Sequence, residues 1–337
     1  MEKYLSLKIC LTSLIFAFLS SAAHATLLQL APFNAFTTTT YNSFQIQSLY
    51  LNQQCAAALD PRCIPSGPYP VQSGPGQIND QAVILTGSNG QQMNNIPSPF
   101  AVGTAVDNPF LTPAGNQSTS FTMNAGNEPG GSFVGDQIGT WEVSIAALAG
   151  YLGNNSLVFL FDNNQQGTGF NQALNIWGQV RILNAAGVVQ DCVEFSTGSG
   201  GCGSSINPVN FVPAIGNYCV STVDGSAYAI GTASNAGSCN ANPGDYFVND
   251  NLGTNAAEYA VYSSTLNNNL QNWANLGYFM SVDVRYFGNN GGAEQLWICS
   301  DCTLQNRQIP EPAILMLFGF GLAALGLSLR LKKINFR

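Results

Sequence analysis

Apolar residues recur at period two in several short stretches of this chain. In "TWEVSI", Trp141, Val143 and Ile145 alternate with Glu142 and Ser144; over 280–286, Met280, Val282, Val284 and Tyr286 alternate with Ser281, Asp283 and Arg285. Successive side chains of an extended backbone point to opposite faces, so both stretches predict strands with one apolar face. "SLVFLF" at 156–161 is apolar throughout and predicts a strand buried on both faces. "NIWGQVRILNAAGVVQDCVEF" predicts two strands joined by a turn at Asn184 to Gly187. Downstream, "GNNGG" carries Asn290-Gly291, a favoured type I′ pair, and predicts a hairpin that returns through Leu296 and Trp297. One helix is predicted over about Asn255 to Leu276. Short strands with Gly- and Asn-rich turns predict a mainly β fold: an antiparallel β-sandwich, jelly-roll-like, with that one helix.

Two longer apolar runs stand apart from this pattern. Ile9 to Ala22 follows Lys3 and Lys8 and precedes Ala23-His24-Ala25, whose small residues flank a tolerated middle one. That order predicts a secretory signal peptide over 1–25, cut after Ala25 by signal peptidase. Ala313 to Leu329 is a run of 17 uncharged residues followed by Arg330, Lys332, Lys333 and Arg337. As a helix it reaches about 25 Å against a hydrocarbon core of about 30 Å. Basic side chains that snorkel close the difference, and the run predicts a short transmembrane helix with its basic end in the cytoplasm.

Composition divides the part between these ends. Eleven of the sixteen prolines fall in 26–130, together with "TTTT" and "PSGPYPVQSGPGQ", while all four tryptophans come later. The expected organisation is a Pro-, Gly- and Thr-rich flank or set of edge strands over 26–130, a β core over 131–300 and a linker over 301–309. About 280 residues are enough to bury a substantial core without a metal or cofactor.

Charge then excludes partners. Between residues 26 and 308 four arginines and no lysine face sixteen carboxylates, a net charge of −12. Such a surface repels nucleic acid and anionic lipid. The cysteines fit an oxidising compartment: Cys10 leaves with the signal peptide, and eight remain. Nearest-neighbour pairing is the economical expectation, namely Cys55–Cys63, Cys192–Cys202, Cys219–Cys239 and Cys299–Cys302. The "CSDC" at 299–302 also has the spacing of a thioredoxin-like pair, but it follows a strand and lacks the helix that lowers a thiol pKa.

Missing residue types narrow the chemistry further. His24 is the only histidine and lies in the signal peptide, so histidine triads and His-ligated metals are excluded from the mature protein. Lysine-based Schiff-base chemistry is excluded as well. Carboxylates remain, including Glu142, Asp162, Asp191, Glu194, Glu258, Asp283 and Glu294, and no two are singled out as a glycosidase pair. The expectation is a protein that is not an enzyme and assigns no catalytic residue. "DNNQQG" at 162–167 sets Asp162 and Asn164 at the alternate positions of a calcium loop. Its twelfth position is Ala173, where an EF-hand has Glu, so a polar turn between strands is the preferred reading and no cofactor is assigned.

The segment joining core to tail is "IPEPAI", in which Pro310 and Pro312 forbid helix and hold the chain extended. Pro310, Glu311 and Pro312, then the helix 313–329, then Arg330, Lys332 and Lys333 in the basic tail 330–337 closely resemble the PEP-CTERM sorting signal of exported proteins of certain Gram-negative bacteria. Leu331 interrupts a basic cluster that in many members is a plain run. The resemblance implies processing near Pro-Glu-Pro by an exosortase, a membrane enzyme of the cysteine transpeptidase kind, after transient anchoring in the inner membrane. It further implies a place at the outer surface or in an exopolysaccharide-associated extracellular matrix or biofilm. The resulting reading is an exported surface or matrix protein. A secreted carbohydrate-binding module is the alternative, and a carboxylate-based glycoside hydrolase the third.

Overall fold

The computed structural model describes residues 28–30, 38–60, 71–73, 78, 82–86, 105–111, 137, 139–163, 173–198, 202, 206–215, 218–229, 239, 244–248, 256–287 and 294–304. The cleavage-site residues Ala23 and Ala25, the sorting residues Pro310, Glu311, Pro312, Arg330, Lys332 and Lys333, the Asn290-Gly291 turn and Asn164 lie outside them. Among the described residues no helix is long and apolar enough to cross a membrane.

Two sheets carry the main core. The larger runs in the order β2 (Thr38–Tyr41), β3 (Phe44–Ser48), β14 (Tyr259–Tyr262), β7 (Phe159–Asp162), β16 (Gln295–Ile298), β4 (Val83–Thr86) and β5 (Phe110–Leu111). It is antiparallel except for the β4–β5 pair. The second is wholly antiparallel, with β6 (Trp141–Ser144) beside β15 (Phe279–Phe287) beside β8 (Ala173–Leu183). The free side of β8 is shared by β9 (Val189–Phe195) and β10 (Val212–Ile215). Phe159, Phe161, Val261, Leu296 and Ile298 of the first sheet meet Val143, Val180, Met280, Val282 and Val284 of the second in one buried cluster. Sheets of seven and five strands replace the two four-stranded sheets that a jelly-roll reading implies. Strands from the proline-rich segment 26–130 occupy both ends of the larger sheet.

The outer face of the larger sheet is covered too. Leu160, Ala260 and Trp297 turn outward onto a second buried cluster with Leu30, Val83 and Cys302. Part of that cover is β1 (Leu28–Leu30), paired in parallel with β17 (Cys302–Leu304). Residues 302–304, expected in a linker, therefore belong to the fold. A small sheet, β12 (Ala227–Ala229), β11 (Tyr218–Val220) and β13 (Tyr246–Val248), packs Val220 and Val248 against Leu51 and Cys55 of α1 (Leu49–Ala57).

Three helices, not one, occur among the described residues. The predicted helix 255–276 begins only at Ser264, as α3 (Ser264–Asn275), because "YAVY" at 259–262 is taken up as β14 between β3 and β7. Its apolar stripe is Leu266 and Trp273, its N-cap is Ser263, whose hydroxyl accepts from Leu266 N–H, and Gly277 at φ +68° ends it. The strand predicted through Ile145 stops at Ser144. Ile145 instead opens α2 (Ile145–Leu152), which buries Ile145, Leu148 and Leu152 and packs on α3.

The predicted hairpin of β15 and β16 does not form. β15 pairs with β6 and β8 in one sheet, and β16 with β4 and β7 in the other. Disulfides join Cys192 to Cys202, Cys219 to Cys239 and Cys299 to Cys302, with Cα atoms 5.9, 5.8 and 5.6 Å apart. Cys55 is disulfide-bonded as well, and its predicted partner Cys63 lies outside the described residues.

Candidate functional site

The carboxylates that sequence alone could not sort fall into separate surroundings. Asp283 pairs along its own strand with Arg285, at 2.5 Å. Glu194 on β9 accepts from the Ser196 hydroxyl at 2.5 Å and from the Gln179 amide at 3.3 Å. Asp191, also on β9, accepts the Cys192 N–H.

Glu142 departs from the simple alternation of its strand. Its face of β6 points away from the main core but is covered, and the carboxylate is fully buried. Oε2 accepts the Gln137 N–H at 3.1 Å, and a chain of hydroxyls runs from Ser281 through Thr140 to Oε1. Asp107 lies alongside, its Oδ2 accepting the Glu142 N–H at 2.8 Å. Burial holds the Glu142 pKa above its ordinary value, against the opposing pull of Ser281, Thr140, Gln137 and Asp107.

Asp162 and Glu258 are the two that come together. Asp162 ends the central strand β7 and stands directly opposite Gln295 of β16. On the other side of β7, β14 runs antiparallel with Tyr259 opposite Phe161, which places Glu258 across from Asp162 on the face shared with Leu160 and Ala260. The Glu258 N–H donates to the Phe161 carbonyl at 2.9 Å, and its Oε2 accepts the Asn163 N–H at 2.7 Å. Gln295, Asp162 and Glu258 thus form a row across three strands. Exposure of Asp162, Asn163, Glu258 and Gln295 is 0, 1, 1 and 0%.

Gln295 positions the row. Its amide nitrogen donates to the Ser73 carbonyl and, at 3.4 Å, to Asp162 Oδ2, while its amide oxygen accepts the Thr86 hydroxyl at 3.3 Å. Burial raises the Asp162 pKa to about 7, opposed by Ser73 and Gln295. Tyr286, reaching across from β15, keeps its proton far above the usual phenol range because it is buried and because Glu294 and Asp162 add negative charge nearby.

Hydrogen bonding does not exhaust this row. Asp162 Oδ1, both side-chain amide atoms of Asn163 and the Ser73 hydroxyl are buried without a partner. The Ser73 hydroxyl lies alongside the Asp162 carboxylate without closing a bond to it. Buried polar atoms are nearly always paired, so Asp162 Oδ1 and the Ser73 hydroxyl beside it, with the Asn163 amide next along the chain, mark unspent binding capacity. The "DNNQQG" motif pointed at Asp162, which is the buried last residue of β7; residues 164–167 of the polar turn expected there lie outside the described residues. Sequence reasoning missed Ser73, Asn163, Thr86 and Gln295, which come from segments far apart in the chain, with no spacing to announce them.

No curated protein and no solved structure matches the chain. The PEP-CTERM protein-sorting motif matches residues 308–333 and marks an exosortase substrate, exported and processed from a membrane-anchored state. A second family model matches residues 28–285, a stretch that holds Ser73, Asp162, Asn163 and Glu258, and on that match the chain belongs to the family described as a domain of unknown function, DUF8239.

Proposed function

We propose that the mature protein is a structural component of the cell surface or of an exopolysaccharide matrix, released from its transient membrane anchor by exosortase cleavage near Pro310-Glu311-Pro312. The sorting motif, only a few residues beyond β17, carries this reading. Leu304 is six residues from Pro310, at most about 20 Å of extended chain, so the β domain is held against the membrane surface until it is cut. Disulfides suited to an oxidising space and an acidic, lysine-free surface support the same destination. The large apolar side chains exposed among the described residues are aliphatic, such as Leu59, Val209 and Val223, and form no aromatic platform for a sugar ring.

Intact mass spectrometry of the protein recovered from the envelope and medium of the producing cells tests the reading. The expected mass lacks the residues beyond Pro312, and any addition identifies the group attached on transfer. A mass that retains Arg337 in all fractions overturns release from the membrane, and the matrix role with it.

A further inference from the structure

The unspent oxygens at the end of β7 suit a partner that supplies positive charge and accepts oxygen ligands. Protein cations are scarce here: of the two arginines among the described residues, Arg285 is held by Asp283 and Arg181 by Gln179. No lysine occurs between residues 26 and 308. The available donors are all oxygens: a carboxylate oxygen of Asp162, the side-chain oxygen of Asn163 and the hydroxyl of Ser73, each buried and unpartnered, beside the carboxylate of Glu258. Hard oxygen ligands of mixed charge suit calcium, which accepts six to eight of them in irregular geometry. Magnesium demands a stricter octahedron and keeps its waters.

We propose that Ser73, Asp162, Asn163 and Glu258 form a calcium site that pins the covering segment at Ser73 to the central strands β7 and β14. No three acidic or cysteine side chains among the described residues stand together as a metal cluster, so neutral oxygens complete the coordination. The site is distinct from an EF-hand loop, because its ligands come from three separate segments and the loop's twelfth position, Ala173, contributes none. It does not depend on sorting, and its test is independent of the mass measurement above.

The test uses the full-length protein purified in detergent, stripped with a chelator and dialysed. Calcium is added in titration calorimetry and in thermal unfolding, with magnesium and sodium controls at matched ionic strength. The expected result is binding with a Kd of about 0.1–1 mM or tighter, as in extracellular calcium modules, and a melting temperature raised by about 4 °C or more at saturation. Asp162→Asn weakens calcium binding at least tenfold while the calcium-free protein stays folded by near-ultraviolet circular dichroism. Asn163→Asp adds a charged ligand and tightens binding, and it decides the matter if Asp162→Asn fails to fold. Absence of a calcium response in the wild type overturns the proposal. So does an equal response to magnesium, or an Asn163→Asp protein that binds calcium no more tightly than the wild type.

Discussion

Asn267 of α3 completes the backbone hydrogen bonding of Leu157 from both sides. Its side-chain oxygen accepts the Leu157 N–H at 2.7 Å, and its side-chain nitrogen donates to the Leu157 carbonyl at 2.9 Å. A side-chain amide presents an N–H and a carbonyl in the same spacing as a peptide group, so Asn267 acts as one residue of a neighbouring strand, while its nitrogen also donates to the Ser263 carbonyl at 3.0 Å. Leu157 is fully buried, and water cannot replace the lost partner. Asn267→Ala should therefore cost about 2–4 kcal/mol, the sum of two orphaned backbone groups. Asn267→Asp, which keeps the acceptor but sets a carboxylate against the Leu157 carbonyl, should cost at least as much above pH 5. Urea unfolding followed by tryptophan fluorescence reads both, and a cost below about 1 kcal/mol for the alanine variant would show that the contact is dispensable.

Glu142 gives the fold a pH dependence of definite sign. Its folded pKa lies above the ordinary 4.5 because burial penalises the anion. Above pH 4.5 the folded state thus holds a proton that the unfolded state has lost, and stability falls as pH rises through the folded pKa. The groups facing the carboxyl are Asp107, Thr140, Ser281 and the Gln137 N–H; none is cationic. Glu142→Gln removes the titration and preserves the shape. Between pH 4.5 and 8 the wild type should lose stability relative to this variant, and by pH 8 the variant should be the more stable of the two. Parallel urea midpoints for the two proteins across that range would refute the assignment.

Local chemistry made some of this fold legible. The β8–β9 hairpin follows from its turn, where the Asn184 side chain accepts from the N–H groups of Ala186 and Val188 and Gly187 takes φ +75°. The nearest-neighbour disulfides followed because the paired cysteines are only 10, 20 and 3 residues apart. The Asn290-Gly291 signal was equally local but lost to a distant constraint. "QLWI" is buried on both faces, so β16 needs a strand on each side within a covered sheet, and β7 and β4 supply them. Helix α2 was present in the sequence as Ile145, Leu148 and Leu152 at i, i+3 and i+7, with Gly153 ending it, and the alternation of "TWEVSI" obscured its first residue. Helix α1 gave no such sign, because one of its buried positions is Asn52. The carboxylate row was legible only at Asp162. What joins Ser73, Asp162, Glu258 and Gln295 is strand order, which no spacing along the chain encodes.

Cys299 and Cys302 close the fold just before the sorting signal, and their bond acts on two short strands at once. Cys302 heads β17, which holds β1 in parallel, and its carbonyl accepts the Ser156 N–H at 2.8 Å. The Cys299 N–H donates to Val158 at 3.0 Å, so both half-cystines are tied to the segment that leads into β7. A parallel pair of three-residue strands has little stability of its own, and the cross-link supplies what pairing does not. Replacing both cysteines by alanine removes a very short closed loop, worth about 2 kcal/mol by chain entropy. The loss should be local. Hydrogen exchange read by mass spectrometry should show protection falling over Leu28–Leu30 and Cys302–Leu304, while β15, buried in the opposite sheet and hydrogen-bonded on both sides, keeps its protection. Equal loss of protection across β15 would mean that the bond secures the whole domain, and unchanged protection in β1 and β17 would mean that strand pairing suffices without it.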